Sequence, residues 1–228
     1  MRPPRIRSLV PILLAGLVLL SALGCARMLS PVDLPTMTFL SETPKIDGRV
    51  EVCVKPELYK RRWNVEEHPY RIELGKRAAL NFERMAKSAF REAVAVYAES
   101  CGAASDTAWI ESKIISANRD WDGIEGWFAW FEQEPVDTAI TMSFALYADD
   151  GQPIWSTTIK SEHRSVDSIP LTNRMRRNRG ARDFGIVLAK TLDQAYVELL
   201  ASDDVRAAFG DTQLTDPPEA DGEAGTES

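Results

Sequence analysis

Residues 136–160 constrain the fold more tightly than any other stretch. From Val136 to Ala148, Ile140, Met142, Phe144 and Leu146 alternate with Ala139, Thr141, Ser143, Ala145 and Tyr147. A period of two places one set on each face of an extended strand. Asp149-Asp150-Gly151-Gln152 supplies turn residues, and Ile154 to Lys160 returns as a second strand. Pro153 stands at its start, where a missing N–H does little harm. An antiparallel hairpin with one apolar face must be covered by a second layer, so the rest of the chain has to supply one.

Two amphipathic segments can do so. Leu74, Ala78, Phe82, Met85, Ala86, Ala89 and Phe90 recur at three- and four-residue spacing, opposite Lys76, Arg77, Glu83, Arg84, Lys87 and Arg91. That predicts a helix with an apolar stripe, with Pro69 ahead of it in a position that suits a helix start. Phe184, Val187, Leu188, Leu192, Ala195, Tyr196, Leu199 and Leu200 form a second stripe, which Asp203 to Phe209 extends after a kink. Arg49 to Val54 reads as a strand stopped by Pro56, with Val50, Val52 and Val54 on one face and Cys53 on the other. Trp109 to Ala117 reads as another strand. Ala93 to Ala98 either prolongs the first helix or forms a strand, and Gly102 ends it in both cases. Leu58–Pro69 and Arg164–Arg182, both charged and without a clear period, are expected as loops. The expected fold class is α+β: a mixed, largely antiparallel sheet with two long helices packed on one face.

The N-terminus carries a different kind of signal. Arg2, Arg5 and Arg7 precede an uncharged run from Ser8 to Gly24, whose 17 residues fall short of the ~20 that cross a bilayer. This is the pattern of a signal peptide. Ser21-Ala22-Leu23-Gly24-Cys25 resembles the lipobox of bacterial lipoproteins, with Ala22 where that motif more often has Leu. The resemblance implies cleavage before Cys25, a diacylglyceryl thioether on its sulfur and acylation of the new amino terminus. By the same resemblance, Ala26 rather than Asp implies the outer membrane, with the protein facing the periplasm. An ordinary cleaved signal peptide is the competing reading of these residues.

The chain then divides into a signal peptide (1–24), a lipidated Cys25 with a tether (25–47), a single α+β domain (48–210) and an acidic tail (211–228). Pro31, Pro35 and Pro44 keep the tether extended, with Thr36 to Leu40 as a candidate edge strand. The tail holds Pro217, Pro218, glycines and acids, a composition that does not build a core. The order of strand, helix, strand, hairpin and helix over residues 48–209 resembles small periplasmic lipoproteins of the outer membrane, such as the lipopolysaccharide-assembly lipoprotein. That resemblance implies a non-enzymatic accessory or assembly role in an envelope complex or in lipid transport, with an envelope protein as partner.

Charge and cysteine usage bound the function further. Of the 27 basic residues, only Arg2, Arg5 and Arg7 precede Cys25, while all 34 acidic residues follow it, so the mature chain has 24 basic residues and a net charge of −10. A nucleic-acid partner would require the opposite sign. Beyond Cys25 only Cys53 and Cys101 remain. In an oxidising compartment a disulfide is the economical expectation, closing a loop of roughly 50 residues and adding up to ~4 kcal/mol in the chain-entropy model. Two buried free thiols are the alternative.

No pattern of catalytic residues emerges. His68 and His163 have no metal-ligand spacing, and the chain lacks a nucleophile elbow, a phosphate-binding loop and a dinucleotide glycine pattern. No cofactor and no metal are therefore expected. Asn118-Arg119-Asp120-Trp121-Asp122-Gly123 imitates the start of a calcium loop, but its closing acid would fall at Ala129, and a plain turn explains it better. Two clusters stand out. Trp121, Trp127, Phe128, Trp130 and Phe131 hold three of the six tryptophans, and Trp127, Phe128, Trp130 and Phe131 are candidate partner-binding residues. Arg174, Arg176, Arg177, Arg179 and Arg182 put five arginines into nine residues of an acidic chain and are candidate anion-binding residues, for anionic glycolipid or peptidoglycan.

Overall fold

The computed structural model describes residues 29–32, 39, 46–64, 71–102, 106–121, 133–168 and 173–210. In chain order the elements are β1 (Leu29–Pro31), β2 (Ile46–Cys53), the single turn α1 (Pro56–Tyr59), β3 (Trp63–Asn64), β4 (Arg71–Glu73) and α2 (Leu74–Ala89). Then follow β5 (Phe90–Val96), β6 (Trp109–Trp121), β7 (Gln133–Tyr147), β8 (Pro153–Ser168), α3 (Asn173–Ala201) and α4 (Asp203–Phe209). Five strands form a mixed sheet in the order β5-β2-β6-β7-β8, and three form a small sheet in the order β1-β4-β3. The class is α+β, as the patterning predicts.

The hairpin is the longest ladder. β7 and β8 pair antiparallel from Tyr147 opposite Pro153 to Gln133 opposite Ser168, and β6 pairs antiparallel with β7 along its whole length. Ile140, Met142, Phe144 and Leu146 are buried, as the alternation requires, and α2 and α3 lie over them. Phe82 of α2 meets Phe144 with ring centroids 6.0 Å apart, and Leu188 and Leu192 of α3 join the same core.

The parallel half is built differently. β2 runs parallel to both β5 and β6. The chain leaves β2, passes through α1, β3, β4 and α2, and returns as β5, a helical crossover of the kind parallel strands need. β6 starts level with Glu51 and so begins close to where β5 ends, which lets the connection from 97 to 108 be short. Glu51 N donates to Ala108 O at 2.9 Å and Val54 N to Val96 O at 2.8 Å, holding β2 from both sides. Cys53, the last residue of β2, is disulfide-bonded to Cys101 in that connection, with Cα atoms 5.9 Å apart.

Several expectations need correction. The helix stripe ends one residue early: Phe90 is extended, its N–H caps α2 on Ala86 O, and it opens β5 directly. Of the two readings for Ala93–Ala98 the strand is right up to Val96, because β-branched Val94 and Val96 suit a strand beside β2. The expected loop Arg164–Arg182 is mostly regular structure: β8 continues to Ser168 and α3 begins at Asn173, so the five arginines stand on a helix. Arginine is a good helix former, and Gly180, Ala181 and Phe184 provide a buried face that the charges obscure in the sequence. Within Leu58–Pro69, Tyr59 ends α1 and Trp63–Asn64 form β3. Asn118–Trp121 belong to β6, where Asn118 Nδ2 donates to Asp120 Oδ2 at 2.8 Å, so these residues are strand in place of the expected plain turn.

The segment expected as a tether is partly core. Leu29–Pro31 pair parallel with Arg71–Glu73, with Pro31 at the end of an edge strand, where it is tolerated. Val32 and Phe39 are buried, and the Phe39 ring lies 5.8 Å from that of Tyr196. Of the edge strand expected for Thr36–Leu40 only Phe39 is among the described residues, and it is not in a strand. Among the described residues, folded structure is thus already present at Leu29, well before residue 48.

Candidate functional site

Pro56 stops β2, and β6 runs on past it. The β2–β6 ladder ends at Cys53 opposite Glu111, whereas β6 continues to Trp121. The chain turns away through α1 and leaves a notch along β6. Into it project Lys60, Arg61, Arg62, Arg71 and Lys113, with Glu57 and Ile114 completing a cleft of about 500 Å³. Among the described residues of the lining, five cations face one carboxylate, in a chain whose net charge is −7. Among the described residues none of the five cations forms a salt bridge, while nearby Lys55 is neutralised by Glu111 at 2.6 Å.

Glycine positions this basic turn. Gly75 N donates to Arg61 O at 2.8 Å, docking the turn that carries Lys60–Arg62 onto the first turn of α2. A Cβ on Gly75 would lie 2.0 Å from Leu58 O and 2.7 Å from Arg61 N, both backbone atoms that cannot swing aside. Only glycine permits the approach. Opposite the turn, Arg71 on β4 is held by pairing with Leu29 of β1 and Asn64 of β3. The cleft therefore offers several guanidinium and ammonium donors on anchored backbone, suited to an oxyanion such as a phosphate.

A second polar cluster lies beneath α3. Arg119, Thr138 and His163 are register neighbours across β6, β7 and β8, and Asp183 of α3 descends on this row. The Arg119 guanidinium donates to Asp183 Oδ2 at 2.9 Å, with the two side chains only 1% and 6% exposed. Ser165 Oγ donates to the same Oδ2 at 2.9 Å, and His163 Nε2 stands 4.0 Å from Oδ1. Gly180 makes room one turn earlier, since a Cβ there would sit 3.3 Å from Ile72 Cδ1 and 3.8 Å from Arg119 Cδ.

Ser165, His163 and Asp183 have the composition of a hydrolytic triad but not its connectivity. A nucleophilic serine must give its proton to the histidine, which the carboxylate orients from behind. Here the serine hydroxyl is spent on the carboxylate itself, and the arrangement ties α3 to the sheet. Among the described residues, no group of three His, Cys, Asp or Glu side chains is placed to hold a metal ion.

Of the residues singled out in the sequence, Cys53 and Cys101 are brought together by their disulfide. Cys25, Trp127, Phe128, Trp130 and Phe131 lie outside the described residues. Arg179 and Arg182 are on α3; Arg179 Nη1 donates to Val166 O at 3.2 Å, and Arg182 is exposed. Arg174, Arg176 and Arg177 occupy the first turns of the same helix. The basic cleft was missed because its members are scattered over more than fifty residues, and only Lys60-Arg61-Arg62 could have signalled it.

The geometry defines an α+β body with a basic cleft beside β6 and a buried ion pair under α3. No family model matches the chain, and no curated protein matches it. Similar solved structures include a Xanthomonas campestris protein, at 12% identity and a TM-score of 0.47 over 76% of this chain and 92% of that one. A minor lipoprotein from Acinetobacter baumannii is similar at 10% identity and a TM-score of 0.37, over 67% of this chain and 93% of that one. Rare lipoprotein B from Shewanella oneidensis is similar at 12% identity and a TM-score of 0.37, over 67% and 91%.

Proposed function

We infer that this protein is a non-enzymatic lipoprotein, anchored through Cys25 to the periplasmic face of the outer membrane, that serves an envelope complex or lipid transport as an accessory or assembly factor. The observation that carries the reading is Ser21–Cys25 at the end of an uncharged run, with β1 opening only four residues later at Leu29. A body that begins so near its acylated residue rides on the membrane surface, and two or more acyl chains at about 0.8 kcal/mol per buried CH₂ hold it there. Intact mass of detergent-extracted protein is expected to show loss of residues 1–24 together with added acyl mass. Cys25→Ser should yield an uncleaved or soluble form. A mature chain that starts elsewhere and carries no acyl mass would sink the reading.

The second reading is a binding module for anionic glycolipid or peptidoglycan that uses Arg174, Arg176, Arg177, Arg179 and Arg182. The placement of these residues on the first turns of α3 favours it, because a helix presents its charges at fixed spacing. Binding to the anionic ligand that weakens with salt would support this reading, and salt-insensitive co-purification with one envelope protein would support the first.

A further inference from the structure

We propose that the cleft formed by Lys60, Arg61, Arg62, Arg71 and Lys113 binds the phosphate of an anionic lipid headgroup in the same leaflet that holds the Cys25 anchor. The inference rests on the anchored reading above and assigns a site that it leaves open.

Arg71, one wall of the cleft, is the register partner of Leu29 in the parallel β1–β4 pair. Leu29 is four residues from Cys25, and four residues span at most about 14 Å even when fully extended. The glyceryl group on an acylated Cys25 would lie at the depth of the neighbouring lipid glycerols, so the main chain would leave the membrane at the level of the headgroup phosphates. The cleft is thus held within headgroup reach by its own connectivity. Long arginine and lysine side chains extend that reach while keeping their charges in water.

Charge and geometry agree with this occupant. Among the described residues the cleft's cations form no salt bridge and Glu57 is the one carboxylate in the lining, and the cluster stands out against an acidic chain. Guanidinium groups bind phosphate oxygens through paired N–H donors, and two lysines add point charge. The volume of about 500 Å³ lies in the range of clefts that take small ligands and accommodates a headgroup. Anionic leaflets also attract basic clusters close to their surface, which adds to any specific contact.

The test uses the purified full-length gene product, processed by its host, in vesicles of phosphatidylcholine with or without phosphatidylglycerol. Amine acetylation read by peptide mass spectrometry reports on Lys60 and Lys113. Lys87 is the control, since it stands twelve residues beyond Gly75 on α2, about 18 Å along the helix. The expected result is several-fold protection of Lys60 and Lys113, but not Lys87, only when phosphatidylglycerol is present. The Arg61→Gln/Arg62→Gln variant should lose that protection while its melting temperature and acyl mass stay unchanged. Equal protection in phosphatidylcholine would mean mere proximity to a surface and would overturn the proposal, as would no protection at all. Equal protection by inorganic phosphate alone would assign the cleft to soluble phosphate-bearing ligands and overturn the lipid assignment. The intact mass of the same sample judges the anchor separately. A chain without acyl mass that still shows phosphatidylglycerol-dependent protection keeps the headgroup assignment and loses the anchor, and one that shows neither loses both.

Discussion

Asp183 is the centre of the buried ion-pair cluster. It accepts from Arg119 and from Ser165 and has His163 nearby, all beneath α3. Removing one partner of a buried ion pair leaves the other charge uncompensated, at a cost of about 3–5 kcal/mol. Asp183→Ala is expected to destabilise by that order in urea unfolding, and the joint change Arg119→Met/Asp183→Leu should cost much less than the sum of the two single changes. A neighbour in the same row behaves oppositely. Thr138 is fully buried, and its Oγ1 has no hydrogen-bond partner among the described residues. Because that hydroxyl is desolvated without return, Thr138→Val should be neutral or stabilising by about 1 kcal/mol in the same assay.

At the scale of elements, the end of β2 is the critical junction. Here the strand stops, the disulfide to Cys101 closes a separation of 48 residues, and the chain turns off to build the basic cleft. A cross-link of this length restricts the unfolded chain and typically stabilises a domain by about 2–4 kcal/mol. Cys53→Ala should lower stability by that order, with the loss reproduced by reduction of the parent protein and absent when the variant itself is reduced. Hydrogen exchange should localise the earliest loosening to residues 97–108 and to the Ala108 O contact with Glu51 N, the segment the bridge holds against β2. Loosening confined to α3 would contradict this.

At the scale of the molecule, several elements begin or end at one end of the large sheet. β6 ends at Trp121, β7 starts at Gln133, β8 ends at Ser168 and α3 starts at Asn173, all at that end. The candidate docking residues Trp127, Phe128, Trp130 and Phe131 fall between the two strand ends. Large aromatic side chains gain roughly 1.5–3 kcal/mol each on burial, so either the body or a partner should cover them. We expect a partner to do so. Trp127→Ala with Trp130→Ala should then leave the melting temperature nearly unchanged and abolish the neighbour captured by cross-linking in intact cells. If the pair of changes unfolds the domain, the rings are core and the docking idea fails.

By itself the sequence determined the pieces with local periods. The hairpin turn at Asp149–Gln152, the apolar faces of β2 and β7 and the stripes of α2 and α3 all follow from side chains a few positions apart, and such patterns survive without knowledge of the fold. Tertiary structure decided what depended on distant neighbours. Val94 and Val96 became strand because β2 lay beside them, and the arginine-rich run became helix because Gly180, Ala181 and Phe184 found a core to bury against. Val32 and Phe39 turned from tether to core because a packed interior had room for them. The basic cleft was least legible of all. Its cations come from the turn after α1, from β4 and from β6 and share no sequence period, and only the notch left where β2 stops and β6 continues makes them a site.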